Sequence, residues 1–270
     1  MTRTAVIAGR GALPGALVAA MDVAPLICVL DGFTPDGVVV DQVFRIERLA
    51  IFLRWLTDQD VSRVVFAGAV HRPRLDPSLM DPQSAQILPP LMAAFQAGDD
   101  ATLRAVIGLF EDAGLTVAGV ADLAPALVPG PGLITGQTTA TDDRDTARAV
   151  TIVDALGRVD VGQGAVVQQG LCLAVEVLAG SDAMLNAVTN LPPALRPDPQ
   201  RGKGVFYKAP KPGQDLRIDL PTLGVETVER AASAGLAGIA WQAGGVICLD
   251  LPAMTAAATA AGLFLWSRQP

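Results

Sequence analysis

Four cations and two carboxylates crowd one stretch of an otherwise sparsely charged chain. Lys203, Lys208, Lys211 and Arg217 lie between Gly202 and Arg230, interleaved with Asp215 and Asp219, in a sequence of which 17% is charged. Lysine supplies point charge to phosphate oxygens, and arginine grips them with two parallel N–H bonds. Two carboxylates among such cations are the usual means of bringing in a divalent metal. The combination suits the binding of a small, phosphate-bearing anion. The plainer reading of the same residues is a solvated loop whose charges pair with one another.

The elements that must hold these groups are local. Val205-Phe206-Tyr207 reads as a short strand, and Pro210, Pro212 and Gly213 enforce an irregular loop after it. Leu216-Arg217-Ile218 is expected as a second extended piece, with Asp219 at its end facing opposite to Ile218 and Leu220. A helix follows from Val225 to Ala234, with Glu226 and Glu229 in its opening turns, where acidic groups suit the helix dipole. A strand–loop–helix edge presents backbone N–H groups and fixed cations to phosphates. Asp219 is the position expected to matter most, the alternative being a cap on the following helix.

Upstream, Thr4 to Ala8 reads as a strand, Gly9 to Pro14 as a glycine turn opening a helix, and Leu26 to Leu30 as a second strand ending at Asp31. This is the outline of a nucleotide-binding unit, although the third glycine of GxGxxG is missing. A nicotinamide-dependent oxidoreductase is the alternative function this unit allows. The unit also explains the apolar run from Gly11 to Leu30, which Pro14, Asp22 and Pro25 interrupt, better than a membrane span does. Arg48 to Asp58 reads as a helix and Arg63 to Ala67 as a third strand, whose C-terminal end leads to Arg72, placed where parallel sheets collect ligands. His71 is the only histidine, read as a solvated loop residue, so no site needs two. Helices are expected over Ser84 to Gln96 and Asp100 to Ala113, with Asp99 or Asp100 as cap, and Thr116 to Val120 as a fourth strand.

Pro129-Gly130-Pro131-Gly132 and the polar run after it mark a break, which divides the chain into domains over 1–135 and 136–270. The second begins with a helix from Asp142 to Leu156 capped by Gly157, followed by a hairpin turning at Gln169-Gly170. Glu176, on what reads as the hairpin's inner strand, costs free energy among apolar neighbours unless a cation or metal pairs with it. Ser181 or Asp182 is expected to cap the next helix. Gly238 to Gln242 and Val246 to Leu249 read as strands joined at Gly244-Gly245, then a helix over Pro252 to Ala261 and a last strand over Leu263 to Trp266.

With 270 residues, 51% of them hydrophobic and few aromatic, the chain suits two packed α/β domains. A net charge of −7 excludes generalised nucleic-acid binding. Cys28, Cys172 and Cys248 are scattered among apolar neighbours, which reads as buried thiols of a reducing, cytoplasmic compartment.

KAPKPGQDLRIDLPTLG, followed by ETVERAASAGLAGIA, resembles the signature of the LpxI family, the UDP-2,3-diacylglucosamine pyrophosphatases of lipid A biosynthesis. GRGALP resembles that family's GGGALP with Arg10 in place of glycine, and AGAVHRP, GDD, DVGQGAVVQ and VEVLAGSDAML extend the likeness in the same order. In the last of these, Ala179 stands where the family tends to glutamate. The resemblance implies an N-terminal Rossmann-like parallel-sheet domain, a C-terminal α+β domain with a mixed sheet, and an active site between them. It implies hydrolysis of UDP-2,3-diacylglucosamine to UMP and 2,3-diacylglucosamine 1-phosphate, by water directed at the sugar-side phosphorus. It implies Mg2+ or another divalent cation, for which Asp219 is the expected ligand, with Asp215 or Glu176 beside it. Asp219, Asp215 and Lys208 become the catalytic candidates. Gly9, Gly11, Ala12, Leu13, Arg72, Gln168, Lys203, Lys211, Gln214, Arg217 and Thr222 become the substrate contacts. A cytoplasmic protein touching the inner-membrane surface, with a homodimer left open, completes the expectation.

Overall fold

The computed structural model describes residues 3–71 and 73–270, the side chains of residues 97, 99 and 100 excepted. The chain divides into two compact units. The first runs up to Ala126 and also takes in Asp215–Asp219; the second takes Leu127–Gln214 and Leu220–Pro270.

The first unit is built from β1 (Arg3–Ala8), α1 (Leu13–Ala19), β2 (Leu26–Leu30), β3 (Gln42–Phe44), α2 (Leu49–Asp58), β4 (Val61–Ala67), α3 (Pro82–Ile87), α4 (Pro89–Ala97), α5 (Asp99–Asp112), β5 (Thr116–Ala118) and α6 (Val120–Leu123). Its five strands are all parallel in the order β3-β2-β1-β4-β5. The near-continuous apolar runs of β1, β2 and β4 suit strands covered on both faces. Ala5, Ile7, Cys28, Val64 and Val117 form one core with Leu53 and Leu56 of α2, Leu91 of α4 and Phe110 of α5. Strand order reverses between β1 and β4, so the turns after these two strands stand at the point where such sheets collect ligands.

The second unit contains β6 (Gly132–Thr135), α7 (Ala140–Arg158), β7 (Gly164–Gln168), β8 (Leu171–Val175), α8 (Gly180–Thr189), β9 (Val205–Lys208), β10 (Thr222–Leu223), α9 (Val225–Ser233), β11 (Gly238–Gln242), β12 (Ile247–Cys248), α10 (Leu251–Ala261) and β13 (Phe264–Arg268). A six-stranded sheet runs β6-β13-β11-β9-β7-β8. It is mixed: β9, β11 and β13 are parallel, while β6, β7 and β8 join antiparallel. Strand alternation splits the side chains between two cores. Val166, Phe206 and Trp241 pack with Leu185 of α8, Val228 of α9 and Met254 of α10. Ala165, Val167, Val205, Tyr207 and Ala240 pack with Ala149 and Val153 of α7.

Several local expectations give way to tertiary context. The stretch Ser84 to Gln96 is two helices, because Pro89 and Pro90 force a break at Leu88. The residue at the cap of α5 is Gly98, with Asp99 already helical. Val61–Ala67 is the fourth strand, since the short β3 precedes it, and β5 stops at Ala118 with α6 starting at Val120. Helix α7 runs on past Gly157. A Cβ there would lie 2.6 Å from Pro212 Cδ, so this glycine serves close packing and not termination. Glu176 lies one residue past β8, which is the edge strand of its sheet and not an inner one. Ala179 is at the cap of α8, with no side chain bonded there. β12 pairs with β10 in a separate two-stranded sheet. Cys172 is exposed, while burial pushes the Cys28 and Cys248 thiols up to about 12, the nearby Asp41 carboxylate adding to the effect at Cys28.

Candidate active site

The segment Asp215–Asp219 leaves the second unit and is built onto the first. Leu216–Ile218 forms a turn and not the extended piece expected of it. The cause is Asp215, whose carboxylate accepts from the backbone N–H of Arg217 at 3.0 Å while its carbonyl accepts from Ile218 N at 3.4 Å. An aspartate that bonds the backbone two residues on makes a turn of its own and competes with extended structure. Arg217 then grips the Asp215 carboxylate through Nε and Nη2, the latter at 2.7 Å, and its Nη1 donates to Glu111 Oε1 of α5, also at 2.7 Å. The Arg217 side chain, by its hydrogen bonds, holds the Asp215 carboxyl below the usual carboxylate range, and Asp215 with Glu111 raises Arg217 in return. Ile218 packs onto the core of the first unit. Asp219 follows, exposed, before the buried Leu220. The following helix, α9, has Gly224 at its cap, so Asp219 does not cap it.

Lys208 ends β9 on the face that Phe206 defines, and its side chain is only 7% exposed. Nζ donates to both oxygens of Glu176, at 3.2 and 3.0 Å, and to Ser181 Oγ, whose hydroxyl donates in turn to Glu176 Oε2 at 2.7 Å. All three ammonium N–H bonds are thereby used. Missing side chains make room for Glu176: a Cβ on Gly164 would stand 2.7 Å from its carboxylate Oε2, and one on Gly162 would stand 1.9 Å from its backbone carbonyl oxygen. Glu176 therefore finds the cation its setting demands in Lys208. That engagement speaks against it as a metal ligand, and no group of three or more His, Cys, Asp or Glu is arranged for a metal among the described residues.

The other expected contacts are placed as follows. Lys203 is exposed, between Gly202 and Gly204, both with positive φ. Lys211 pairs with Asp160, and its backbone N–H donates to Gln214 Oε1 at 2.8 Å, an oxygen that also accepts from Gln163 Nε2 at 3.0 Å. Gln168 is fully buried, its Nε2 donating to the carbonyls of Pro197 and Gly202 and its Oε1 accepting from Arg196. Its carboxamide thus tethers the loop ahead of β9. Thr222 opens β10, half-buried. In the first unit, the turn after β1 is stitched to the turn after β4. Arg10 N donates to Ala69 O at 2.9 Å and Ala69 N donates back to Arg10 O at 3.0 Å. Gly9 permits the approach, since a Cβ there would meet Ala69 O at 2.6 Å. Gly11 has φ of +90°, Ala12 is exposed and Leu13 begins α1. The Arg10 guanidinium lies 5.3 Å over the Phe33 ring. Arg72 lies outside the described residues.

Two residues that sequence reasoning passed over stand in these clusters. Glu111 meets Arg217 across 106 residues, and Ser181, singled out only as a cap, completes the Lys208 trio across 27. No local pattern marks either one.

The sequence model of the LpxI N-terminal domain matches residues 3–127, and that of the LpxI C-terminal domain matches residues 130–266. The UDP-2,3-diacylglucosamine pyrophosphatase LpxI of Caulobacter vibrioides is 43% identical over 208 residues, which are 77% of this chain and 74% of that protein. Among solved structures, CobK precorrin-6A reductase aligns over 100% of this chain and 89% of its own at 14% identity with a TM-score of 0.28, a likeness too loose to carry any argument. Matched by both domain models along nearly its whole length, the chain belongs to the LpxI family.

Proposed function

We infer that this chain cleaves the pyrophosphate of UDP-2,3-diacylglucosamine with water, giving UMP and 2,3-diacylglucosamine 1-phosphate, a step of lipid A biosynthesis. The observation that carries this reading is 43% identity over 208 residues to a protein of that name. Water forms a new bond to the sugar-side phosphorus; the bridging P–O bond breaks, and UMP leaves with its electron pair. Such a reaction needs a placed water and neutralised phosphate oxygens, and no protein nucleophile.

Asp219 is our candidate for the group that orients this water and takes its proton. It is exposed, close in sequence to the Arg217 clamp, and followed by a buried residue, which supports a carboxylate that is accessible yet held. Mg2+ would come to Asp219 without Glu176, since magnesium commonly takes one or two carboxylates together with substrate phosphates. Bound there, it would supply neutralising charge to the pyrophosphate oxygens. Lys203, Lys211, Gln214, Thr222 and the turn from Gly9 to Leu13 are proposed contacts for the substrate. Lys208, Gln168 and Arg217 are proposed to shape the surroundings, because their polar groups already have partners. No helix of the described residues is long and apolar enough to cross a membrane. We propose that the protein meets its lipid substrate by peripheral contact with the inner-membrane surface, so that salt or alkali extracts it.

The test is incubation of the purified protein with UDP-2,3-diacylglucosamine and Mg2+, with and without a chelator, followed by chromatography for UMP. UMP release from this substrate, with far slower release from UDP-glucose, is expected. Equal rates on both would take the acyl chains out of the specificity, and no UMP would overturn the reading.

A further inference from the structure

The five residues Asp215–Asp219 belong to the first unit, although the chain on either side of them belongs to the second. Contacts within that unit hold them there. Ile218 packs onto its core, and the segment runs close to the backbone at Gly119, where a Cβ would stand 3.4 Å from Arg217 Cα. Arg217 of this segment pairs with Glu111 of α5 at 2.7 Å. Glu111 lies in the last turn of α5, a helix seated by Ile107 and Phe110 in the core. The same guanidinium holds the Asp215 carboxylate with two of its nitrogens, so one planar group links α5 to the turn that ends one residue before Asp219.

We propose that Glu111 is a positioning residue for the hydrolysis: through Arg217 it sets the turn that aims the Asp219 carboxylate. This rests on the reading of Asp219 given above. Glu111 is exposed, and an exposed ion pair contributes little to stability. Its value here is geometric, because the arginine fork fixes direction as well as distance. A displacement of about 1 Å at a reacting group can lower a rate by about a hundredfold, and loss of one of two anchors should produce a part of that.

The experiment compares Glu111→Gln, Asp112→Asn and Asp219→Asn, alone and with Glu111→Gln and Asp219→Asn combined, in UMP release from UDP-2,3-diacylglucosamine. Glu111→Gln keeps the side-chain shape and removes the charge. It should lower kcat by about tenfold while KM and thermal midpoint change little. Asp112→Asn removes the same charge one residue along the helix and should leave kcat unchanged. In the Asp219→Asn background, Glu111→Gln should cost nothing further, since the group it aims is gone. A Glu111→Gln kcat within twofold of wild type, with Asp219→Asn inactive, overturns the proposal and leaves the Asp219 reading standing. The same tenfold loss in the Asp219→Asn background, or an equal loss in Asp112→Asn, also overturns it. An Asp219→Asn variant with wild-type rate overturns the reading of Asp219 itself.

Discussion

Two of the clusters in which a cation meets carboxylates are built for opposite purposes. In the second unit, Lys208, Glu176 and Ser181 form a closed trio, with side-chain exposures of 7% and 12% for the ion pair. In the first, Arg217 bridges Asp215 and Glu111 with the guanidinium 39% exposed and Glu111 46% exposed. Burial makes the trio costly to break and leaves it no spare donor. Exposure makes the Arg217 clamp cheap to break, yet the clamp stands two residues from an accessible carboxylate. Similar residue types thus serve architecture in one place and, on our reading, chemistry in the other.

The largest effect should follow from Asp219→Ala. If this carboxylate places the water, its loss removes an interaction made mainly in the transition state. A fall in kcat of about a thousandfold, equal to about 4 kcal/mol at 1.36 kcal/mol per decade, is expected with a thermal midpoint close to wild type. Retention of more than a tenth of the rate would remove Asp219 from the chemistry and blur the contrast between the clusters.

Glu176→Ala comes next, and its effect should appear as stability. Leaving Lys208 buried without its counter-ion should cost about 3–5 kcal/mol in denaturant unfolding. The double variant Lys208→Met with Glu176→Leu should recover most of that loss, because an apolar pair of similar volume carries no desolvation penalty. Failure of the double variant to recover would show that the trio does more than hold the fold.

A smaller difference separates two glycines, one under each cluster. Gly162→Ala would drive a methyl group to within 1.9 Å of the Glu176 carbonyl oxygen. It should destabilise by about 1–3 kcal/mol, the range of overpacked sites. Gly119→Ala places its methyl 3.4 Å from Arg217 Cα, an ordinary contact, and should be close to neutral in thermal unfolding. Equal effects at both would mean that the two clusters are equally tightly packed.

The smallest effect concerns acid. The Arg217 side chain, bonded to Asp215, holds that carboxyl below its usual range. Its contribution to stability is therefore complete above the unfolded value of about 3.9 and is lost as pH falls toward the lower folded value. Asp215→Asn should flatten the wild-type loss of stability in that window by no more than about 1 kcal/mol, given the partial exposure of the pair. An unchanged acid profile would remove this carboxylate from the clamp's energetics.

Elements whose signal lies within a few residues were legible in the sequence. The strand Val205–Lys208, the helix Val225–Ser233, the turn after β1 and the hairpin at Gln169-Gly170 stand where their β-branched runs, prolines and glycines put them. The misreadings have two physical sources. Some came from local competition weighed wrongly, as at Leu216–Ile218, where Asp215 bonds its own backbone, and at Pro89, which splits a helix. Others lie in partners far away in sequence, which no local pattern reveals: Lys208 stands beside Glu176 across 32 residues, and Glu111 meets Arg217 across 106. The charged loop of the sequence is in part the salt-bridged surface that was its plainer reading. Asp219 is the carboxylate of that loop on which the chemical reading now rests.

The division of labour is tested most directly by measuring kcat for UMP release and thermal midpoint side by side on two variants, Asp219→Ala and the double Lys208→Met with Glu176→Leu. The account predicts that Asp219→Ala keeps its midpoint and loses about a thousandfold in kcat, while the double variant keeps kcat within about threefold and holds or raises its midpoint. A double variant that folds normally and has lost its rate would contradict it, because the buried trio would then belong to the chemistry.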